Sequence, residues 1–138
     1  MKSWNEQAEK VMRERFGKDT VIALATAEEG IPHVRYVNAY YEEGAFYIIT
    51  YALSQKMKQM EKSRIVAIAG EWFTAHGMAT DLGYFGKPEN RKIAGKLIEV
   101  FAEWIDNGHN NFDDENTIIL RLELMDAVLL SHGMRYEL

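Results

Sequence analysis

The chain has 138 residues, of which 47% are hydrophobic and 27% are charged, and this composition predicts one globular domain with an apolar core. Its formal net charge of −5 argues against a nucleic-acid partner, because no cationic stripe is available to neutralise a phosphate backbone. The absence of cysteine excludes disulfides, thiolate metal sites and thiol catalysis.

No apolar run in the sequence is long enough to cross a bilayer, and residues 1–16 are amphipathic and charged, unlike a signal peptide. We therefore expect a cytoplasmic protein without a membrane partner. The four histidines lack the short spacings of metal-ligand pairs, so the sequence predicts no metal site.

The first predicted element is an N-terminal helix within residues 1–17. Ser3 followed by Glu6 is typical of a capping box, apolar residues then recur at helical spacing, and Gly17 ends the helix. Three runs rich in apolar, β-branched and aromatic residues follow and predict strands over 21–26, 32–41 and 45–50. A Glu-Glu-Gly turn joins the second and third of these strands as a hairpin.

The middle of the chain predicts a short helix between strands. Apolar residues at helical spacing predict a helix over about 54–62, and a buried strand follows over 65–69. Residues 72–82 continue in extended form, and Gly77 within them indicates a bulge or a close backbone approach.

The last third of the chain contains the clearest helical periodicity. It covers about 89–105 and is ended by Asn107-Gly108. After a polar loop, residues 117–124 and 127–132 predict either a final strand pair or one bent strand.

This order of elements predicts the α+β class. About six short strands are joined mostly by tight turns, with helices inserted between them, which favours a small antiparallel barrel. The lack of a regular strand–helix alternation argues against a parallel sheet. We expect one domain over residues 1–138, with the barrel within 20–132 and the inserted helices flanking it.

The segment from Thr50 to Lys56 joins the third strand to the helix that follows it. The N-terminus of a helix presents free backbone N–H groups, and a hydroxyl at Ser54 and an ammonium at Lys56 stand beside them. This combination predicts a site for phosphate.

Two motifs in this region carry a family resemblance. In residues 32–37, Arg35 is followed two positions on by an apolar residue. The aromatic pair Phe46-Tyr47 then leads into the pattern T-x-x-x-S-x-K, formed by Thr50, Ser54 and Lys56. With Trp72 after the next buried strand, residues 20–132 resemble the flavin-binding split barrel of the pyridoxamine 5′-phosphate oxidase-like superfamily, especially its short members akin to the general stress proteins.

The resemblance implies a six-stranded antiparallel split β-barrel of Greek-key type with flanking helices. It also implies an FMN cofactor bound at the subunit interface of a homodimer, and flavin-dependent oxidoreductase activity on an unknown small-molecule redox substrate. In the family, Arg and Lys pair with the flavin phosphate, hydroxyls bond to it, and the backbone after the Arg follows the polar edge of the isoalloxazine ring. By this resemblance, Arg35 and Lys56 pair with the phosphate, and Ser54 and Thr50 bond to it through their hydroxyls. The backbone along the ring is that of Tyr36, Val37 and Asn38.

One departure from the family pattern concerns the activity. The vitamin-processing oxidase has a Lys five positions after this Arg, and this chain has Tyr40 there. No equivalent of that enzyme's substrate-clamping residues is recognisable, so the sequence supports the flavin site and not that specific oxidase reaction. No acid–base residue stands out, and the catalytic residues stay unknown.

Other interpretations are open. Ser54 alone is more often a plain helix cap, and Arg35 could pair with Glu28 or Glu29 across the hairpin. Trp72 and Trp104 are most economically core or dimer-interface aromatics. The alternative functions are a non-catalytic module that holds a flavin, a deazaflavin or haem, and a cofactor-free barrel used for protein contacts.

Overall fold

The computed structural model describes residues 2–108 and 110–138, and Met1 and His109 lie outside the described residues. The described residues form seven strands, three α-helices and one short 3₁₀ turn. In chain order they are α1 (Glu6–Phe16), β1 (Thr20–Glu28), β2 (Ile31–Glu42), β3 (Ala45–Tyr51), α2 (Gln55–Lys62), β4 (Ile65–Gly70), β5 (Phe73–Tyr84), the 3₁₀ turn (Pro88–Asn90), α3 (Arg91–Val100), β6 (Thr117–Ser131) and β7 (Met134–Glu137).

The sheet closes into a six-stranded antiparallel barrel, as the sequence predicts. The strand order is β3-β2-β1-β4-β5-β6, and pairing of β3 with β6 closes the ring. Strands β3, β2 and β1 are consecutive neighbours, and β4 returns beside β1 after the α2 crossover, which is a Greek-key order. The short β7 pairs with the far end of β6.

The barrel is split along one edge of β2. Residues Ile31–Ala39 of this strand pair with β1 along its full length, whereas only Tyr40–Glu42 pair with β3. On the side away from β1, no strand of the described chain pairs with Ile31–Ala39. Backbone groups along this edge are therefore open to a ligand or a second chain.

Two apolar clusters hold the fold together. The first fills the barrel, where the ring of Phe16 from α1 lies 5.6 Å from Phe46 and 5.3 Å from Phe73, centroid to centroid. The second lies outside the barrel, where the fully buried Leu97 and Phe101 pack over β3 and β6. The buried residues named in both clusters belong to the apolar patterns of the predicted helices and strands.

The structure corrects the predicted start of α1. Its N-cap is Asn5, whose side-chain oxygen accepts a hydrogen bond from the Ala8 N–H, and not Ser3. The Ser3 hydroxyl instead accepts a hydrogen bond from the Glu137 N–H at 2.9 Å, because β7 brings the C-terminal tail beside it. Gly17 ends the helix as predicted.

The predicted helix over 89–105 is too long. The regular α3 ends at Val100, and residues 101–106 continue as turns that still bury Phe101 and Ile105. The apolar residues at helical spacing are buried as predicted, but the last of them lie in turns and not in the helix. Of the two predictions for the last strands, the structure has the single bent strand β6.

The two tryptophans differ from each other. Trp104 is half-buried against Phe101 and donates its indole N–H to Asp19 at 2.9 Å. Trp72 occupies the β4–β5 turn with φ of 53° and is 68% exposed. A core role for Trp72 is therefore wrong, and an interface role stays a prediction.

Candidate functional site

Arg35 is held firmly on the inner side of β2. It lies opposite Leu24 in the β1–β2 register, and its Nη1 donates to the Leu24 carbonyl at 3.2 Å and to Thr26 Oγ1 at 2.9 Å. Its Nη2 donates to Gln59 Oε1 at 3.1 Å. These bonds use three of the five N–H donors of the guanidinium, which leaves two for a ligand.

Two buried polar residues fix this arginine, and the sequence analysis missed both. Thr26 and Gln59 are 3% and 1% exposed, and the Thr26 hydroxyl donates to Gln59 Oε1. Gln59 lies on the inner face of α2 between two buried methionines. A glutamine on an otherwise apolar helix face was the signal that could have identified it, because a buried amide requires partners.

Lys56 lies one turn before Gln59 on α2 and comes close to Arg35. Burial lowers the pKa of Lys56 below its ordinary value, and the positive charge of Arg35 lowers it further. Burial likewise lowers the pKa of Arg35. The first cause of both shifts is the same, the partial burial of a positively charged group.

In the described part of the chain, no acidic side chain compensates the charges of Arg35 and Lys56. Within residues 2–108 and 110–138, neither Arg35 nor Lys56 has a carboxylate within 4.0 Å. Glu28, which could have paired with Arg35, instead lies 3.7 Å from the ammonium of Lys62, so the hairpin ion-pair interpretation is wrong. Two adjacent, partly desolvated cations are unfavourable unless an anion joins them.

Ser54 is the N-cap of α2, as predicted. Its hydroxyl oxygen accepts a hydrogen bond from the Met57 N–H at 3.4 Å, which leaves the hydroxyl hydrogen to donate. Its own N–H donates to the Tyr51 carbonyl at 3.0 Å and is not free for a phosphate. The N–H groups of Gln55 and Lys56, in the first turn, have no acceptor within the helix.

Thr50 lies at the end of β3 and is 8% exposed. It is opposite Ile118 in the β3–β6 register and therefore faces the barrel interior. Among the residues that the structure describes, it makes no hydrogen bond to Arg35, Ser54 or Lys56, so its phosphate contact stays a prediction.

Tyr36, Val37 and Asn38 lie on the open edge of β2, directly after Arg35. Tyr36 points outward and is 81% exposed, while Val37 points inward. Asn38 donates from its side chain to Asp19 at 3.0 Å. Alternate residues of an antiparallel strand direct their N–H and C=O groups away from the paired neighbour, so this stretch offers backbone donors and acceptors at the edge.

Tyr40 cannot replace the missing lysine of the family pattern. It is buried beneath α3 on the opposite face of β2 from Arg35. Burial, together with the neighbouring Glu42 carboxylate that accepts its hydroxyl at 3.2 Å, raises the pKa of Tyr40 to about 12. The phenol therefore stays neutral and structural.

Neither a metal cluster nor a membrane-spanning helix is found in the described residues. In the described ranges, no three His, Asp or Glu side chains cluster as metal ligands, and His109 lies outside those ranges. None of the helices in the same ranges is long and apolar enough to cross a membrane.

The comparisons with known proteins agree with this geometry. The family model described as pyridoxamine 5′-phosphate oxidase matches residues 8–125. A search of curated proteins finds no match.

Three similar solved structures share the fold at low sequence identity. A NimC/NimA family protein from Clostridium acetobutylicum is 22% identical, with a TM-score of 0.65 and coverage of 94% of this chain and 92% of that chain. A FAD-binding protein from Mesorhizobium loti is 15% identical, with a TM-score of 0.64 and coverage of 91% and 93%. The haem-storage protein HutZ from Vibrio cholerae is 17% identical, with a TM-score of 0.64 and coverage of 86% and 89%.

At these identities the solved structures support the split-barrel fold alone. The family match is different, because it spans most of the chain and includes Arg35, Ser54 and Lys56. This chain belongs to the pyridoxamine 5′-phosphate oxidase family.

Proposed function

We propose that the protein binds FMN and uses it as a flavin-dependent oxidoreductase on a small-molecule substrate not yet known. The observation that carries this proposal is the uncompensated pair Arg35 and Lys56 at the N-terminus of α2. A phosphate monoester supplies the anion that this pair lacks.

The site residues fit a phosphate. Arg35 has two free N–H donors, Lys56 has an ammonium group, and Ser54 has a free hydroxyl hydrogen. Each hydrogen bond between charged groups contributes ~1.5–3 kcal/mol, and the helix N-terminus adds a favourable field. Thr50 completes the proposed set at the end of β3.

The isoalloxazine ring would lie along the open edge of β2. Backbone groups of Tyr36, Val37 and Asn38 lie at this edge, and in this proposal they bond to the polar edge of the ring. When bound, the flavin supplies the electron and hydride chemistry, and the chain supplies binding and orientation. We name no catalytic residue at this edge.

The same edge favours a homodimer with the cofactor at the subunit interface. Ile31, Val34 and Tyr36 are 61%, 71% and 81% exposed along β2. A second copy at this edge would cover apolar side chains and enclose the ring. We expect the dimer to act in the cytoplasm.

Flavin uptake tests the proposal directly. We expect the purified protein to show flavin absorbance or to take up FMN on titration. In the Arg35→Gln/Lys56→Gln double variant, FMN affinity should fall at least about a hundredfold, because two charge-assisted contacts are lost.

The matched control is Lys58→Gln, since Lys58 is an exposed lysine on the same helix. It removes one positive charge from the same helix, where the double variant removes two from the site, and it should leave FMN affinity nearly unchanged. A colourless protein that does not take up FMN would remove the cofactor proposal.

A second candidate is a non-catalytic module that holds a flavin, a deazaflavin or haem. The similarity to HutZ, which is named as a haem-storage protein, favours keeping it. Reduction of the bound flavin by NADH or NADPH, followed by turnover with an electron acceptor, would separate the enzyme from the module. Haem uptake without FMN uptake would favour the module.

A further inference from the structure

Gln59 brings a neutral group, and not a carboxylate, to a positively charged arginine. It is 1% exposed on the inner face of α2, where the other buried residues are Met57 and Met60. Its Oε1 accepts hydrogen bonds from Arg35 Nη2 at 3.1 Å and from the Thr26 hydroxyl. Charged groups that leave water are usually paired with an opposite charge, so a buried amide is an uncommon partner for an arginine.

The hydrogen-bond acceptors of Arg35 in the described part of the chain are all neutral. They are the Leu24 carbonyl, the Thr26 hydroxyl and the Gln59 amide. Each of them directs the guanidinium without removing its charge. Arg35 is therefore held in place while its full positive charge stays available to a ligand.

The other end of the Gln59 amide faces a carboxylate. Its Nε2 lies 3.5 Å from Glu28 Oε2, and Glu28 Oε1 lies 3.7 Å from the ammonium of Lys62. The amide thus directs its carbonyl oxygen to a cation and its NH₂ group to an anion, which is the favourable orientation of its dipole. Because Gln59 lies between Arg35 and Glu28, this carboxylate pairs with Lys62 and not with the arginine.

We infer that Gln59 is a positioning residue that sets the charge of the phosphate site: it directs Arg35 and, as a neutral amide, leaves the charges of Arg35 and Lys56 uncancelled. The role rests on the proposed function, because it concerns the same phosphate. A phosphate monoester carries a charge of about −1.5 to −2 at pH 7, which two uncancelled cations match. A glutamate has the same shape as glutamine and would cancel one of them.

Two substitutions at Gln59 separate the effect of its charge from that of its hydrogen bonds. Gln59→Glu keeps an acceptor for Arg35 but places a negative charge beside the phosphate. We expect the preference for FMN over riboflavin to fall at least about tenfold, because the carboxylate cancels one cation and repels the phosphate. Gln59→Met removes the acceptor and keeps the charge of the site, so this preference should fall by about threefold or less.

The matched control is Gln7→Glu. Gln7 is an exposed glutamine on α1, and none of the proposed phosphate ligands lies on that helix. The substitution makes the same chemical change elsewhere, so it should leave the preference for FMN unchanged. Riboflavin lacks the phosphate, and an equal riboflavin affinity in all four proteins shows that each variant is folded.

Phosphorus NMR of bound FMN measures the charge of the site by a second route. The second ionisation of a free phosphate monoester has a pKa of about 6. Two cations should lower this pKa, so the phosphorus resonance of FMN on the unsubstituted protein should stay constant between about pH 5.5 and pH 8. On Gln59→Glu the resonance should titrate within this range. A change in packing alone would not produce this difference.

Two results would overturn the role of Gln59 while FMN binding stands: full preference for FMN in Gln59→Glu, or an equal loss of preference in Gln59→Met and Gln59→Glu. A phosphorus resonance that titrates near pH 6 on the unsubstituted protein would also overturn it, whether or not the variants fold. Equal affinities of the unsubstituted protein for FMN and riboflavin would overturn the phosphate site of the proposed function, and the role of Gln59 with it.

Discussion

Helices α2 and α3 both cover the barrel, yet they do so with different chemistry. The inner face of α2 has a buried glutamine that accepts a hydrogen bond from Arg35, and α2 also has a half-buried lysine whose pKa the charge of Arg35 lowers. Helix α3 packs through Leu97 and Ala94 on an apolar cluster. Apolar packing alone is sufficient to attach a helix to this barrel, so the polar residues beneath α2 point to a function other than stability.

Truncation beneath α3 should give the largest loss of stability. Leu97 is fully buried, so Leu97→Ala should lower the free energy of unfolding by about 2–5 kcal/mol through lost apolar contact and the cavity that remains. Urea unfolding monitored by circular dichroism measures this loss. The variant should keep the wild-type preference for FMN over riboflavin, and a loss of that preference in folded protein would show that the two helices are coupled.

Removal of the Thr26 hydroxyl, which lies beneath α2, should lower stability less than truncation of Leu97 and should also weaken FMN binding. Thr26→Val keeps the side-chain shape but leaves Arg35 Nη1 and Gln59 Oε1 each without one partner. We expect a loss of about 1–3 kcal/mol in the free energy of unfolding. FMN affinity should fall as well, because Arg35 is less firmly held; unchanged affinity would mean that Thr26 does not position the arginine.

Replacement of Lys56 should change the free energy of unfolding least, and it should raise it, whereas the two variants above lower it. Because the fold lowers the pKa of Lys56, the unfolded chain binds its proton more tightly, and the charged side chain destabilises the FMN-free fold. Lys56→Met should therefore be slightly more stable than the unsubstituted protein at neutral pH. This difference in stability is fully present below the pKa that Lys56 has in the folded protein. It shrinks as pH rises from there towards 10.5, the ordinary pKa of lysine.

Urea unfolding of both proteins between pH 7 and pH 10.5, without FMN, measures this difference. Addition of FMN should reverse the order, because the ligand stabilises only the protein that binds it well. A variant that is less stable than the unsubstituted protein at every pH would contradict the account of Lys56 as an uncompensated cation.

Much of the fold was predictable because it follows from local patterns. Alternating and continuous apolar runs located β1 to β5, and Gly17 and Ser54 marked helix boundaries at their true positions. The start of α1 was not predictable in this way. Asn5 and Ser3 are both good capping residues, and only the docking of the C-terminal strand on Ser3 decides between them.

The candidate site was predictable in part. The order of Arg35, Ser54 and Lys56 along the chain indicated a phosphate site, and the structure brings Arg35 and Lys56 together. Thr26 and Gln59 were missed because their role depends on contacts between β1, β2 and α2.

The comparison of FMN with riboflavin tests the central claim most directly, because the two ligands differ only in the phosphate. If Arg35 and Lys56 hold that phosphate, the unsubstituted protein should bind FMN at least about a hundredfold more tightly than riboflavin, and the Arg35→Gln/Lys56→Gln variant should bind the two ligands with similar affinity. Equal affinities in the unsubstituted protein would contradict the claim.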